Sequence, residues 1–366
     1  MNTREKILAS IKQINDRIID REDDVNTLVH CLLTNQHAFF CGEPGTAKSF
    51  LANAVASMVD GAKKFFLQFS KDTRVEELVG PIMVTELMKD RFTRRPTGRL
   101  PEAHVAILDE LDKASSASAN VMLGILNERL WSNDGNTVKC PLRFALGTSN
   151  AWLEREESWA LLDRFLFRRI VNPITSDRSI VKLLRMNDVP IQITHTITIA
   201  ELDEAVDEVA AIPISNEAMD ATIEIMRELR KEKISPTNRR TSRCMIGPRA
   251  SAWLDGATEV RPQHLDILKD ILWDSPESQQ EKVETIIVQI SNPSGMKINS
   301  LRQEIDAILA GINPGNVSDM GAASGKLKEI ARQLRQINHP KAIAQVDRIN
   351  SEMEELRKAC VSATSF

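Results

Sequence analysis

A glycine-rich stretch that also contains a lysine and a serine occupies residues 39–50, which read FFCGEPGTAKSF. It follows the short apolar run HAFFC (His37–Cys41), typical of a buried strand, and precedes a helical pattern that begins at Lys48. A strand, a loop and a helix in this order place backbone N–H groups and a helix N-terminus around a phosphate. In that geometry Lys48 lies between the β- and γ-phosphates of a nucleotide, and the Ser49 hydroxyl holds Mg²⁺. The predicted binding residues are Gly42, Glu43, Pro44, Gly45, Thr46, Ala47, Lys48 and Ser49.

One position of this loop departs from the usual pattern, because Ala47 stands where the last glycine is normally found. Gly42 and Gly45 leave room for the chain to wrap an anion and to take backbone angles that a side chain would forbid. We expect Ala47 to take ordinary helical angles, so that only its methyl group has to be accommodated.

A pair of acids closes the apolar run VAILDE (Val105–Glu110), about 60 residues after the loop. At the carboxyl end of a buried strand, Asp109 would bind the Mg²⁺ shell and Glu110 would activate water. Two acids are needed because one stays on the metal while the other takes a proton. A surface pair that merely ends a strand is the alternative interpretation.

Three further polar residues are candidates. Asn150 follows the apolar run LRFALGTSN and would contact the γ-phosphate and the attacking water, although a turn after a strand explains the same asparagine. Arg164 lies in LLDRFLFRR and Arg249 in GPRASAW. The residues alone do not separate a catalytic role for these arginines from a surface ion pair or a helix start.

The elements that must position these residues alternate along the chain. Apolar runs at residues 37–41, 64–70, 104–111, 142–150 and 167–172 alternate with helical patterns, which predicts an α/β domain with a parallel sheet over residues 1–175. Residues 176–278 predict a helical second domain, with IQITHTITI (Ile191–Ile199) as a short strand or a hairpin arm. Residues 279–366 predict a helical extension interrupted by a Gly-rich connector at 311–325.

Composition excludes several classes of protein. Hydrophobic residues make up 42% of the 366 residues, and the formal net charge of −4 gives no overall attraction to nucleic acid. No apolar run approaches the roughly 20 residues that cross a bilayer, so we expect a cytoplasmic protein without a membrane partner. The five cysteines are scattered and never form a C-x-x-C pair, which argues against disulfides and a zinc site.

The motifs together resemble those of AAA+ ATPases of the MoxR family. The residues that carry the resemblance are GEPGTAKS, LPEAHVAILDELDKA, ILNER, SN and DRFLFR, and VRPQHLDILKDILWDSPESQQ (Val260–Gln280) resembles the RavA branch in particular. The resemblance covers about residues 1 to 290. It implies an AAA+ parallel-sheet core, a helical lid domain, and ATP with Mg²⁺ as ligands.

The resemblance also implies roles. Lys48 and Ser49 match the Walker A pair, and Asp109 and Glu110 match the Walker B pair. Asn150 matches the first sensor, Arg164 the arginine finger that reaches the neighbouring subunit's ATP, and Arg249 the second sensor on the lid.

Related machines carry β-hairpins that face a ring pore and touch substrate. Here these are expected at Val79–Pro96 and Arg129–Pro141, with Arg94 and Trp131 as candidate side chains that reach substrate. An inert surface hairpin is the alternative interpretation of each. RavA has a β-rich partner-binding domain between its carboxy-terminal helices, and this chain has only the connector there, so partners bound through that domain are not carried over.

The first functional hypothesis is a motor: a homo-oligomer, a hexameric ring by resemblance, that hydrolyses ATP to remodel a partner protein. The resemblance implies a von Willebrand factor A (vWA) domain protein as partner. The second hypothesis is a nucleotide-gated scaffold with slow hydrolysis. The third, a nucleic-acid motor, rests on the basic stretch Arg227–Arg249, but that stretch has no interleaved aromatics to stack bases.

Overall fold

The computed structural model describes residues 1–153, 156–185, 191 and 193–291, and, beyond these, 300–302, 304–305, 307–309, 317–335, 343, 345–350 and 353–354. Residues 1–283 form one compact unit and residues 284–366 form a second. The predicted division of the first unit near residue 175 stays a prediction.

A five-stranded sheet with strand order β2-β3-β6-β1-β7 forms the centre of the first unit. Every pairing in it is parallel. Each strand lies within one of the five predicted apolar runs, so the α/β fold class is confirmed. The strands are β1 (Ala38–Cys41), β2 (Lys64–Gln68), β3 (Val105–Asp109), β6 (Phe144–Ser149) and β7 (Phe167–Ile170).

The sheet is parallel because helices cover it and lead the chain back after each strand. Its central strands carry buried aromatic residues, including Phe39, Phe40 and Phe144, which form the core with Phe165. The helices of this half are α1 (Thr3–Asn15), α2 (Glu22–Thr34), α3 (Lys48–Ala56), α4 (Val75–Val79), α5 (Val84–Leu87), α6 (Ser116–Glu128) and α7 (Glu156–Leu162), with 3₁₀ turns at Leu100–Glu102 and Leu111–Lys113.

The following segment is helical, as predicted. It contains α8 (Asp177–Arg185), α9 (Ile199–Ala211), α10 (Asn216–Lys231), α11 (Asn238–Arg243), α12 (Ile246–Asp255), a 3₁₀ segment (Pro262–Asp270), a π turn (Pro276–Gln280) and α13 (Glu281–Ser291). The predicted strand at 191–199 is wrong for its described part. Ile197 makes only an isolated bridge with Val59, and Thr198 caps helix α9 by accepting a hydrogen bond from the Glu201 N–H.

The two predicted hairpins turn out differently. Strands β4 (Leu130–Asn133) and β5 (Asn136–Lys139) pair antiparallel, with Asp134 and Gly135 at positive φ as a tight turn requires. The segment 79–96 is not a hairpin: it holds α5 and a single bridge between Ile82 and Arg94.

The two side chains expected to reach substrate both make contacts within the chain. Trp131 is buried in the core, because successive side chains of β4 alternate between the two faces of the strand and Trp131 is on the buried face. Arg94 pairs with Glu76 at 3.1 Å. The exposed large apolar side chains of the 79–96 segment are instead Val84, Leu87, Met88 and Phe92.

The second unit contains helix α14 (Val317–Arg335). Residues 317–325 of the predicted connector therefore lie in a helix, and residues 311–316 are outside the described residues. The helix begins earlier than predicted, and it carries Leu327, Ile330 and Leu334 into one core. The partners of these side chains are Leu301, Ile305, Val346 and Ile349.

In the described ranges, no helix is both long enough and apolar enough to cross a membrane.

Candidate nucleotide-binding site

The loop between β1 and α3 lies at the edge of the sheet where the strands end. Gly42 must be a glycine, because a Cβ atom there would lie 2.2 Å from the carbonyl oxygen of Val171. Gly45 has φ of +80°, in the left-handed region that glycine tolerates. Helix α3 begins directly afterwards at Lys48, so its amino terminus faces the loop.

Ala47 does not take the helical angles that we expected. Its φ of 67° and ψ of 16° place it in the left-handed region, where it is the cap residue of α3. An alanine there costs roughly 1 kcal/mol, because Cβ approaches the neighbouring carbonyl oxygen. The loop therefore keeps the backbone path of the usual glycine while carrying a methyl group.

Lys48 is buried in the loop. Its Nζ donates to the carbonyl oxygens of Gly42 at 2.7 Å and Glu43 at 2.9 Å, and to the Thr46 hydroxyl at 3.3 Å. Burial lowers the pKa of the Lys48 ammonium, although nearby Asp109 acts in the opposite direction. The loop thus holds a positive charge among acceptor oxygens that an anion can replace.

The predicted acid pair lies beside this lysine. The carboxylate of Asp109 accepts hydrogen bonds from the Glu110 N–H, at 3.0 Å, and from the Thr148 hydroxyl of β6. Glu110 has a left-handed backbone with φ of 53°, at the point where β3 gives way to the 3₁₀ turn Leu111–Lys113. Its Oε2 accepts a hydrogen bond from Lys113 Nζ at 2.7 Å. This bond lowers the pKa of the Glu110 carboxyl below its usual value.

Most of the predicted site residues line one cavity of about 240 Å³ at this edge of the sheet. They are Pro44, Gly45, Thr46, Ala47, Lys48, Ser49, Asp109, Glu110 and Asn150. Gln68 lines the same cavity, and our sequence reasoning missed it. The signal in the sequence was its position near the end of the predicted strand 64–70. In the structure Gln68 is the last residue of β2 and pairs in register with Asp109.

A second cavity, of about 290 Å³, lies on the other side of residues 44–47. Its walls are largely apolar, with Ile18, Ile19, Phe50 and Ile174 among them, and Arg17 and Arg21 at its polar part. An apolar slot next to a phosphate-type loop has the character of a site for a planar base. The sequence analysis missed these residues, because they come from three distant segments.

The two predicted arginines lie elsewhere. Arg164 and Arg249 line one cavity of about 630 Å³, together with Arg129 and Arg243. Asn35, Gln36 and His37 also line it, and these residues precede β1, whereas the phosphate-type loop follows β1. The four residues of β1 span about 13 Å, so Arg249 is not at the loop of its own chain.

This arginine cavity is strongly basic, since none of the described residues that line it is an acid. Burial and the nearby Arg243 lower the pKa of Arg129 to about 10. Burial and then Arg239 lower the pKa of Arg164. The cavity therefore suits an anion that is supplied from outside it.

The loop residues fit a nucleotide with one divalent cation. No group of three His, Cys, Asp or Glu side chains in the described residues is placed to hold a metal alone. Mg²⁺ does not need such a cage, because it is held by one or two carboxylates and by substrate phosphates. Asp109 and Ser49 on the wall of the same cavity satisfy that requirement.

A parallel sheet, a glycine-rich loop at its carboxyl edge, acids on a neighbouring strand and a helical region define a P-loop protein of the AAA+ class. Residues 5–206 match the model of the MoxR domain in the MoxR-vWA-beta-propeller ternary systems, and residues 217–287 match an AAA lid domain. The chain therefore belongs to the MoxR family of AAA+ ATPases.

Individual relatives agree with this assignment. An uncharacterised protein of Methanocaldococcus jannaschii is 34% identical over 264 residues, which cover 72% of this chain and 69% of that protein. The chaperone MoxR1 of Mycobacterium tuberculosis is 24% identical over 291 residues, 74% of this chain and 75% of that one. The crystal structure of a candidate ATPase from Cytophaga hutchinsonii shares the fold, with a TM-score of 0.63 and 18% identity, and covers 78% of this chain and 94% of that one.

Proposed function

We propose that this protein hydrolyses ATP with Mg²⁺. The observation that carries the proposal is the single cavity that brings together Lys48, Ser49, Asp109 and Glu110. A lysine and a helix amino terminus bind phosphates, while a hydroxyl and a carboxylate hold the cation. A bound Mg²⁺ would neutralise charge that develops on the phosphates.

The chain's own residues then divide the work. Lys48 exchanges its carbonyl partners for phosphate oxygens, and Asp109, oriented by Thr148, holds the cation's shell. Glu110 accepts a proton from the attacking water, and Asn150 orients that water. The apolar cavity around Ile18, Phe50 and Ile174 receives the base.

The arginine cavity supports a shared active site. Because Arg164 and Arg249 lie at the opposite edge of the sheet from their own loop, they serve the nucleotide of a neighbouring copy. A head-to-tail contact of this kind forms a ring when its rotation closes, and we propose a hexamer, as the family resemblance implies. This arrangement assigns both arginines to the neighbour's ATP. The family resemblance makes Arg249 the second sensor on the lid but does not say which copy's ATP it contacts.

The work done with ATP is proposed to be remodelling of a partner protein. The matched domain model is named for systems that combine MoxR, a vWA domain and a β-propeller, and one relative is named a chaperone. A vWA domain protein is therefore the partner we propose. Membership of the RavA branch rests on residues 260–280 and stays a prediction, as do the cytoplasmic location and the scaffold alternative.

The test is ATP turnover per chain measured against protein concentration with Mg²⁺ present. We expect the specific rate to rise with concentration, because each site needs a second copy. Glu110→Gln should abolish turnover but keep ATP binding, and Lys48→Ala should weaken ATP binding. Unchanged ATP affinity in Lys48→Ala would show that the loop assignment is wrong, and ATP binding without turnover would favour the scaffold.

Sharing of the site is tested by mixing two inactive variants. Glu110→Gln chains retain Arg164, and Arg164→Ala chains retain the loop and Glu110. In mixed rings some sites combine the intact loop and Glu110 of an Arg164→Ala chain with the intact Arg164 of a Glu110→Gln chain. Turnover should therefore reappear on mixing. Arginines supplied in trans contribute roughly 10³ to 10⁵ in rate in other nucleotide hydrolases, so the recovered rate should be large against either variant alone.

The partner is tested by adding a purified vWA domain protein to the wild type and measuring turnover. We expect the rate to change at saturating partner, and Glu110→Gln chains to bind the same partner in the presence of ATP. Binding of nucleic acid with a similar effect on turnover would instead support the nucleic-acid motor.

A further inference from the structure

The residue before Arg164 is tied to the helical region by its side chain. Asp163 follows the last residue of α7, and its Oδ1 accepts a hydrogen bond from the Thr237 hydroxyl at 2.9 Å. Its two carboxylate oxygens also lie 3.5 Å from Arg239 Nη1 and 3.7 Å from Arg240 Nη2, which are ion-pair distances. Thr237 caps helix α11, and both arginines belong to that helix.

A second set of contacts, made by Arg168 and Arg240, holds the backbone next to Asp163. Arg168 on β7 and Arg240 on α11 are both buried, and each donates to Asp274 Oδ1, at 2.6 and 2.8 Å, and to the Trp273 carbonyl, at 3.0 and 2.9 Å. Arg168 also donates to the carbonyl oxygen of Leu162 at 3.2 Å. The backbone on the amino side of Asp163 is therefore fixed as well.

The charges explain why a carboxylate is needed at position 163. Burial and the adjacent Arg240 lower the pKa of Arg168 to about 9, so this pair of guanidinium groups is in a poorly solvated site. Among the described residues, Asp274 is the one carboxylate that pairs with both guanidinium groups. Asp163 supplies the second negative charge, and it does so on the side that faces α11.

The side chain of Arg164 folds back onto α7, the helix that ends two residues before this arginine. Its Nη1 donates to the Ala160 carbonyl oxygen at 2.9 Å, and its Nε has no hydrogen-bond partner among the described residues. The direction of its side chain therefore follows from the backbone at residues 162–164. That backbone is set by Asp163 and Arg168.

From these contacts we infer that Asp163 is a positioning residue that fixes the Arg164 segment to helix α11 of the helical region, so that the arginine is correctly placed for the nucleotide of a neighbouring copy. The inference rests on the proposed function and deepens it. Asp163 does not touch the reacting atoms. It acts through Arg164, and a change in the position of α11 would be passed to the neighbour's site.

The test uses Asp163→Asn in the full chain. The amide removes the charge that pairs with Arg239 and Arg240 but can still accept from Thr237, and we expect turnover to fall by about 10²-fold, as small displacements of a catalytic group do. ATP affinity should be unchanged, because the loop of the variant is intact. The matched control is Asp203→Asn, which breaks an ion pair with Arg143 at 2.7 Å elsewhere in the same unit and should retain the wild-type rate.

Subunit mixing separates this role from a purely structural one. Asp163→Asn chains mixed with Glu110→Gln chains should recover turnover, because the intact Arg164 of one variant then serves the intact loop of the other. A folding defect or a role in the variant's own site would not be rescued. Thr237→Val, which keeps all charges and removes one hydrogen bond, should show a smaller loss that is also rescued.

Three outcomes decide the matter. Wild-type turnover in Asp163→Asn overturns the inference. A loss that Glu110→Gln chains do not rescue, although they rescue Arg164→Ala, overturns it while leaving the proposed function intact. A failure to rescue Arg164→Ala itself overturns the shared site, and the inference falls with it.

Discussion

Ala47 combines a left-handed backbone with a side chain that disfavours it. Replacing it by glycine relieves the contact between Cβ and the carbonyl oxygen but also increases the freedom of the unfolded chain. For Ala47→Gly we expect the free energy of unfolding to rise by about 0.5 kcal/mol, as the balance of these two effects. Urea denaturation measures it.

The matched control for Ala47 is Gly45→Ala. A Cβ atom at this position would meet nothing within 4 Å, so backbone strain at its φ of +80° is the only cost. We expect Gly45→Ala to lower the free energy of unfolding by about 1 kcal/mol or more. If Ala47→Gly and Gly45→Ala lower the free energy of unfolding equally, the left-handed backbone of Ala47 does not destabilise the protein.

Lys113 sets the protonation of Glu110. Its hydrogen bond, followed by its charge, lowers the pKa of the carboxyl, so Glu110 remains an ionised base to lower pH than an isolated glutamate. In Lys113→Met the acidic limb of the kcat–pH profile should move to higher pH, with little change on the alkaline side. Lys113→Arg should keep the limb close to the wild-type position. An acidic limb at the same pH in Lys113→Met would mean that this pair does not control the base.

At the scale of elements, β1 organises the site. Its carboxyl end leads into the loop of Gly42–Ala47, and its amino end carries His37 into the arginine cavity. A single strand of a parallel sheet thus separates the loop cavity from the arginine cavity by its own length. In the proposed ring, the arginine cavity of one copy meets the loop cavity of its neighbour.

The packing of α2 on α12 should make stability depend on pH. His30 of α2 is buried and hydrogen-bonds the Asn26 carbonyl oxygen and the Ser251 hydroxyl of α12, and burial lowers its pKa. Its folded-state pKa lies below the unfolded value of about 6.5, so the unfolded chain binds more protons in weak acid. The stabilisation from neutral His30 is present above pH 6.5 and is lost as the pH falls through the folded pKa.

His30→Gln tests this linkage. The variant keeps a polar side chain without the titration, so its urea midpoint should fall less than that of the wild type between about pH 7 and 5. The half-buried His195 lies outside the contact between α2 and α12 and provides the matched histidine control, so His195→Gln should leave the pH dependence as in the wild type. Parallel pH curves for the wild type and His30→Gln would contradict the prediction.

At the scale of the whole molecule, every residue assigned to the ATP site lies within the compact unit 1–283. The second unit has its own core around Leu327 and Ile330. We therefore expect a chain ending at Ser291, the last residue of α13, to keep concentration-dependent ATP turnover. Loss of the concentration dependence, with ATP binding retained, would show instead that the second unit is required for assembly. Turnover of the shortened chain against concentration, compared with the full chain, is the measurement.

The amino-acid sequence by itself determined the sheet and the half of the site that lies at its carboxyl edge. Gly42, Asp109 and Glu110 were readable because they lie at the ends of strands that carry their own apolar runs, and parallel strands must end at one edge. Lys48 was readable because it begins the helix that follows the loop. Such signals are local, since they need only a strand, a loop and the next helix.

Only the tertiary structure decided the remainder. The sequence did not indicate the left-handed angle of Ala47, the presence of Gln68 in the site or the helix across residues 317–325. Nor did it place Arg249 with Arg164 at the opposite edge from the loop. The physical reason is that each of these depends on contacts between segments far apart in the chain, where packing and close approach outweigh local preference.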